Sequence, residues 1–125
     1  MLTMTIIPMP KSFGTIYING LPRKAPVVNS GNNVYVVWTT HPSKDTRLSD
    51  DVMFRISTDG GKIFGNKMNL SNTPKSDSQD AEITAARNNV YVTWWERNQT
   101  MNEPVMKINN DNGKTFGEKI MLSAK

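Results

Sequence analysis

The sequence predicts an all-β fold built from a repeated unit of four short antiparallel strands, on three observations. First, "NNVYVVW" (residues 32–38) returns as "NNVYVTW" (88–94), and "ISTDGGKIFG" (56–65) returns as "INNDNGKTFG" (108–117). Second, "MNLS" (68–71) returns as "IMLS" (120–123), 52 residues on like the glycine-rich stretch, whereas the tryptophan strands lie 56 apart. The four-residue difference falls in one loop, between the Trp-ending strand and the next, where a true structural repeat tolerates it. Third, no stretch keeps a 3.6-residue apolar period, so helix is expected to be nearly absent.

The elements follow in order. Residues 1–24 read as a degenerate partial unit: "LTMTIIPMPKSFG" (2–14) aligns without gaps to "VMKINNDNGKTFG" (105–117), with Pro8 at the Asp position and Pro10 at the Gly position. On that alignment "TIYIN" (15–19) is expected to be the outer strand of a preceding unit. The first full unit, 25–71, has strands expected at 25–29, 33–40, 51–57 and 67–71. The second, 72–125, has them at 81–85, 89–96, 104–109 and 118–123. The second strand of each is β-branched and aromatic on both faces, "VYVVW" and "VYVTW". Such strands are covered on both sides, which makes Tyr35 and Tyr91 core residues.

The glycine-rich stretch is a hairpin signal with a mechanism. Asp59 accepts hydrogen bonds from backbone N–H groups of its own turn, and Gly61 takes a positive φ without a Cβ penalty. Phe64 opens the returning strand and packs back on the sheet. In the second copy Asn109 stands where Ser57 did, and Asp111, Gly113, Thr115 and Phe116 complete the pattern.

Composition narrows the class. A chain of 125 residues is one domain's worth, and its frequent Gly, Pro, Asn, Asp and Ser suit a turn-rich β protein. There is no cysteine and a single histidine, so neither a disulfide nor a structural zinc site is expected, and no cofactor. The net charge of +4 comes from basic residues scattered singly, with only Arg23-Lys24 adjacent. That is a solvated surface rather than a nucleic-acid patch. The opening "MLTMTIIPMP" lacks a basic n-region and a continuous apolar run, and no segment is long enough to span a membrane. Neither nucleic acid nor membrane is an expected partner, and localisation is left unassigned.

With these residues in view, the chain resembles the sialidase-like β-propellers that carry the Asp-box, or bacterial neuraminidase repeat. Two copies of Ser-x-Asp-x-Gly-x-Thr-Trp match at Ser57, Asp59, Gly61 and Phe64, and at Asp111, Gly113, Thr115 and Phe116. Phe replaces the usual Trp, and Ile63 replaces Thr in the first copy. The resemblance covers residues 25–123 and implies two propeller blades, at 25–71 and 72–125, after the partial one. It implies that each box joins the third and fourth strands of a blade, on the rim away from the family's active site. The boxes are then folding devices, and their aspartates are not catalysts. Related propellers are often secreted.

The resemblance brings an enzyme hypothesis, which the residues answer poorly. Sialidases use an arginine triad, a Tyr nucleophile with a Glu partner and an Asp acid/base. "FRIS" (54–57) is superficially similar to the element that carries one triad arginine, but Arg55 runs straight into the first box and the family's Pro is absent. No residue is assigned a catalytic role. On the opposite rim the expected ligand-facing residues are His41, Arg47, Trp95, Glu96 and Arg97, where an aromatic beside charged groups could stack on and hydrogen-bond a sugar. The expected function is a non-catalytic module that assembles and takes glycan or protein on that rim. The alternative is a piece of a glycoside hydrolase whose site needs a complete ring. Because a blade buries both faces, self-association is expected: a three-fold ring first, a two-fold dimer second.

Overall fold

A computed structural model describes residues 12–18, 21–40, 50–73 and 76–123, with side chains from residue 24 onward. The described residues contain nine strands and no helix. The first sheet is formed by β1 (Ser12–Ile18), β2 (Leu21–Ser30), β3 (Asn33–Thr39), β4 (Val52–Ser57) and β5 (Met68–Asn69). The second is formed by β6 (Asp77–Ala86), β7 (Asn89–Arg97), β8 (Asn102–Asn109) and β9 (Ile120–Met121). Each sheet is an antiparallel meander in sequence order.

The repeat is structural. Val34 pairs with Ser57 and Phe54 with Met68 in the first sheet; Val90 pairs with Asn109 and Met106 with Ile120 in the second. These are the same registers, carried over by the offsets read from the sequence. Eight strands match the eight expected in the two units, to within a few residues at their ends. Residues 15–18 of the expected strand do lie in a strand, β1, but in another place than expected; Asn19 is outside the described residues. The strand pairs antiparallel with β2, Ile18 opposite Leu21, and extends the first sheet instead of belonging to a separate preceding unit. In sequence the two residues between them are Asn19-Gly20, the strongest two-residue hairpin signal. Most of the N-terminal alignment, residues 1–11, lies outside the described residues.

Pairing partners share a face, so the register sorts side chains into two faces per sheet. Call them by their β3 and β7 members. The tyrosine face of the first sheet holds Tyr35, Val37, Val52, Phe54 and Ile56; its tryptophan face holds Val27, Val34, Val36, Trp38 and Met53. In the second sheet the tyrosine face holds Tyr91, Thr93, Trp95, Met106 and Ile108, and the tryptophan face Val90, Val92, Trp94 and Val105. One continuous core joins Tyr35, Val37, Val52, Phe54 and Leu70 of the first sheet to Val90, Val92, Trp94 and Val105 of the second. The tyrosine face of one sheet therefore packs on the tryptophan face of the next. Phe116 crosses this interface and meets Phe54 edge to face at 5.0 Å.

The chain passage between sheets is held by polar groups. The Asp51 carboxylate accepts from Ser71 Oγ at 2.7 Å, Asn69 Nδ2 at 3.0 Å and Thr73 N at 3.1 Å. Burial pushes its pKa up, but these donors outweigh burial and hold the carboxyl below its ordinary value. Ser78 N donates to Asp50 O at 2.8 Å, and at the other end of the sheets Ser30 Oγ donates to Arg87 O at 2.9 Å.

Candidate functional site: two glycine hairpins and an open sheet face

The two hairpins after β4 and β8 close in the same way. In the first, Asp59 Oδ1 accepts from Lys62 N and Ile63 N, each at 3.0 Å, and from Ser57 Oγ at 2.7 Å. Gly61 N donates to Ser57 Oγ at 2.9 Å. In the second, Asp111 Oδ1 accepts from Lys114 N at 3.0 Å and Thr115 N at 2.9 Å, while Asn109 Nδ2 donates to both Asp111 Oδ1 and Thr115 O. Asn109 thus replaces the serine hydroxyl, its carbonyl accepting from Asp111 N and Gly113 N. Each hairpin is tied to the preceding turn of its own sheet, Gly60 N to Asn32 O at 2.8 Å and Asn112 N to Asn88 O at 3.1 Å. Phe64 and Phe116 are both half-buried, and Phe116 reaches across to Phe54 of the first sheet.

The electrostatics follow from the donors. The Thr115 hydroxyl, at 2.6 Å from Asp111 Oδ2, and then the Thr115 N–H bring Asp111 down to about 2. Asp59 is lowered chiefly by the Ile63 N–H and then by the Ser57 hydroxyl, with no second hydroxyl to help because Ile63 stands in the threonine position. Both carboxylates are anions stabilised in the fold, aimed at their own backbone. A depressed carboxyl contributes stability above its unfolded value of about 3.9 and loses it as pH falls through the folded one. The second hairpin is expected to hold until pH drops below about 4 and to weaken towards pH 2. A carbon-detected NMR titration should show Asp111 titrating near 2 and moving up in Thr115→Val; an unmoved Asp111 in that variant would refute the hydroxyl's role.

Arg55 is engaged in the first hairpin, not at a cleft: Nε donates to Gly65 O at 2.5 Å and a terminal nitrogen to Phe64 O at 3.2 Å. Tyr35 is fully buried, and its hydroxyl accepts from Asn33 Nδ2 at 3.2 Å.

The expected ligand rim is divided by strand alternation. Trp95, Glu96 and Arg97 do end β7 at the end away from the hairpins, since Arg97 pairs with Asn102 while Val90 pairs with Asn109. Trp95 and Arg97 share the tyrosine face and are exposed. Glu96 points the other way and is buried, accepting from Trp94 Nε1 at 3.3 Å and paired with Lys119 at 2.5 Å. Near this pair, burial and then the Lys119 charge hold Lys107 below the ordinary lysine value. The adjoining turn is closed by Asn98, whose Oδ1 accepts from Thr100 N and Met101 N. His41 and Arg47 lie outside the described residues. Among the described residues no three His, Cys, Asp or Glu side chains gather as a metal site would require.

Sequence reasoning placed Tyr91 in a core covered on both sides, and here the structure differs. Tyr35, Val36 and Val37 are buried on both faces of β3, but on β7 only Val90, Val92, Trp94 and Glu96 are. Tyr91 and Thr93 are half-buried and Trp95 is 44% exposed. The same "VYV" sequence is double-sided in the first sheet because the second sheet lies on it, and one-sided in the second, whose tyrosine face is open. In comparisons with known proteins, no family model, no curated protein and no solved structure matches this chain.

Proposed function

We propose that the chain is a non-catalytic module of the Asp-box β-propeller type, which works by stacking its sheets and packing against a further sheet of the same kind. The observation that carries this reading is the packing order. The tyrosine face of the first sheet receives the tryptophan face of the second, and the equivalent tyrosine face of the second is left open. A propeller repeats one such contact at every blade. The charged groups support the same reading. Arg55, Asp59 and Asp111, which a glycosidase hypothesis would most readily recruit, are bound to the backbone of their own hairpins.

The test pairs activity with size. Incubated with a fluorogenic sialoside, the protein is expected to release no fluorophore above a protein-free blank. Light scattering at micromolar concentration is expected to give a mass above the 14.0 kDa monomer. Sialoside turnover that copurifies with the chain would overturn the non-catalytic reading. A well-folded monomer would overturn the stacking reading.

A further inference from the structure

We infer that two copies of the chain close on each other through the open tyrosine faces of their second sheets, about a two-fold axis. The sheet order through the pair is then first, second, second, first. The inference rests on the stacking reading above and identifies its partner as a second copy of this chain.

The argument starts from a difference between the two ends of the stack. A head-to-tail ring needs two bare faces per chain: an open tyrosine face on the second sheet and an open tryptophan face on the first. Among the described residues the former is the more open: Trp95 is 44% exposed there and none of Tyr91, Thr93, Met106 and Ile108 is fully buried. On the first sheet's tryptophan face Val27, Val34 and Val36 are 2%, 2% and 7% exposed, already buried within the chain although they lie outside the core shared by the two sheets, while Trp38 and Met53 at the end of that face are half-buried. A stack mostly covered at one end and open at the other has only one full face to offer a neighbour. The closed solution that buries that face is isologous, like face on like face.

The open face suits such a contact. Tyr91, Thr93, Trp95, Met106 and Ile108 alternate along paired strands, and Ile120, 42% exposed, borders them on β9. This face is the counterpart of one that is already buried between the two sheets, since Tyr91, Met106 and Ile108 stand where Tyr35, Phe54 and Ile56 meet the second sheet. Its size is adequate. Strands of nine and eight residues, at about 3.4 Å per residue and with about 4.8 Å between strands, give a four-stranded face of roughly 500 Å². Two such faces bury roughly 1,000 Å², the low end for a specific interface, so a dimer of modest affinity is expected rather than a permanent one.

The test uses the intact chain. Sedimentation equilibrium across the micromolar range is expected to fit a monomer–dimer equilibrium. Trp95→Lys changes an exposed position and should keep its circular dichroism while weakening the dimer roughly tenfold or more; Thr93→Lys, on the same face, serves if the first variant misfolds. Met53→Gln, on the first sheet's tryptophan face, should leave the dimer intact. A trimer or higher ring, or loss of association in folded Met53→Gln, would overturn the two-fold pairing while leaving the stacking reading in place. Association unchanged in folded Trp95→Lys and Thr93→Lys would also overturn it. A monomer at all concentrations would overturn both.

Discussion

Trp94→Ala is expected to lower stability by about 3–5 kcal/mol, the range for deleting a large aromatic from a close-packed core. Trp94 is 1% exposed and belongs to the core that joins the two sheets. The loss has two parts. The indole's apolar surface returns no transfer energy, and the cavity cannot collapse because its walls belong to two separately hydrogen-bonded sheets. A further consequence reaches Glu96. Its carboxylate loses the Trp94 Nε1 donor and depends on Lys119 for its charge partner. The equivalent residue of the first sheet, Trp38, is only half-buried, so Trp38→Ala should cost clearly less. Urea denaturation of both variants checks the point. Equal losses would show that the two tryptophan faces are in equivalent surroundings, contrary to the one-sided stack.

Gly113→Ala is expected to destabilise by about 2–4 kcal/mol, and Gly61→Ala by only about 1–2. The two glycines hold the same place in the two hairpins, with φ of +88° and +95°. An L-residue in that backbone region carries a similar penalty in both. What differs is the neighbourhood. A Cβ on Gly113 would lie 2.8 Å from Tyr35 Cε1 and 2.9 Å from Ile56 Cδ1, side chains of the other sheet, whereas on Gly61 the nearest atom is Val34 Cγ2 at 3.8 Å. Tyr35 is fully buried and stacked on Phe54 at 6.0 Å, so its ring cannot step aside. The second hairpin thus has a second duty, as the surface that the first sheet rests on. Thermal unfolding of the pair, side by side, decides it, and equal melting temperatures would count against the close approach.

Much of the fold is legible in the sequence for identifiable reasons. The runs "VYVVW" and "VYVTW" are β-branched and aromatic and are punctuated by "NN" before and glycine hairpins after. Their strands therefore follow from local chemistry, and the repeat offsets say that the two sheets share one register without saying which. The hairpin aspartates were legible for the same reason, because an Asp with a Gly two residues on can satisfy its own turn. Three things were not local. The place of β1 does not follow from the alignment over residues 2–14, because Asn19-Gly20 is a two-residue turn signal between β1 and β2, which pair as a hairpin. The rim residues Trp95, Glu96 and Arg97 read as one cluster in sequence, yet a period of two sends the middle one to the opposite face. Tyr91 could not be separated from Tyr35, since identical strands differ only in whether another sheet is stacked on them.

A chain with a bare apolar sheet face invites a different hazard, which the ladder ends remove. Unpaired edge backbone is a template for aberrant strand addition and fibril growth. Here β5 and β9 are two residues long and offer almost no template. The long strands at the other margins, β1 and β6, are each interrupted by a register shift, between Ser12 and Thr15 and between Gln79 and Glu82. In β6 the irregularity holds Asp80 at φ +55° and sets carboxylates along the margin. Bulges and charges of this kind turn a strand away from a foreign partner. Sticky on one face and blunt at its margins, the molecule can associate by side-chain packing with little risk of cross-β polymerisation.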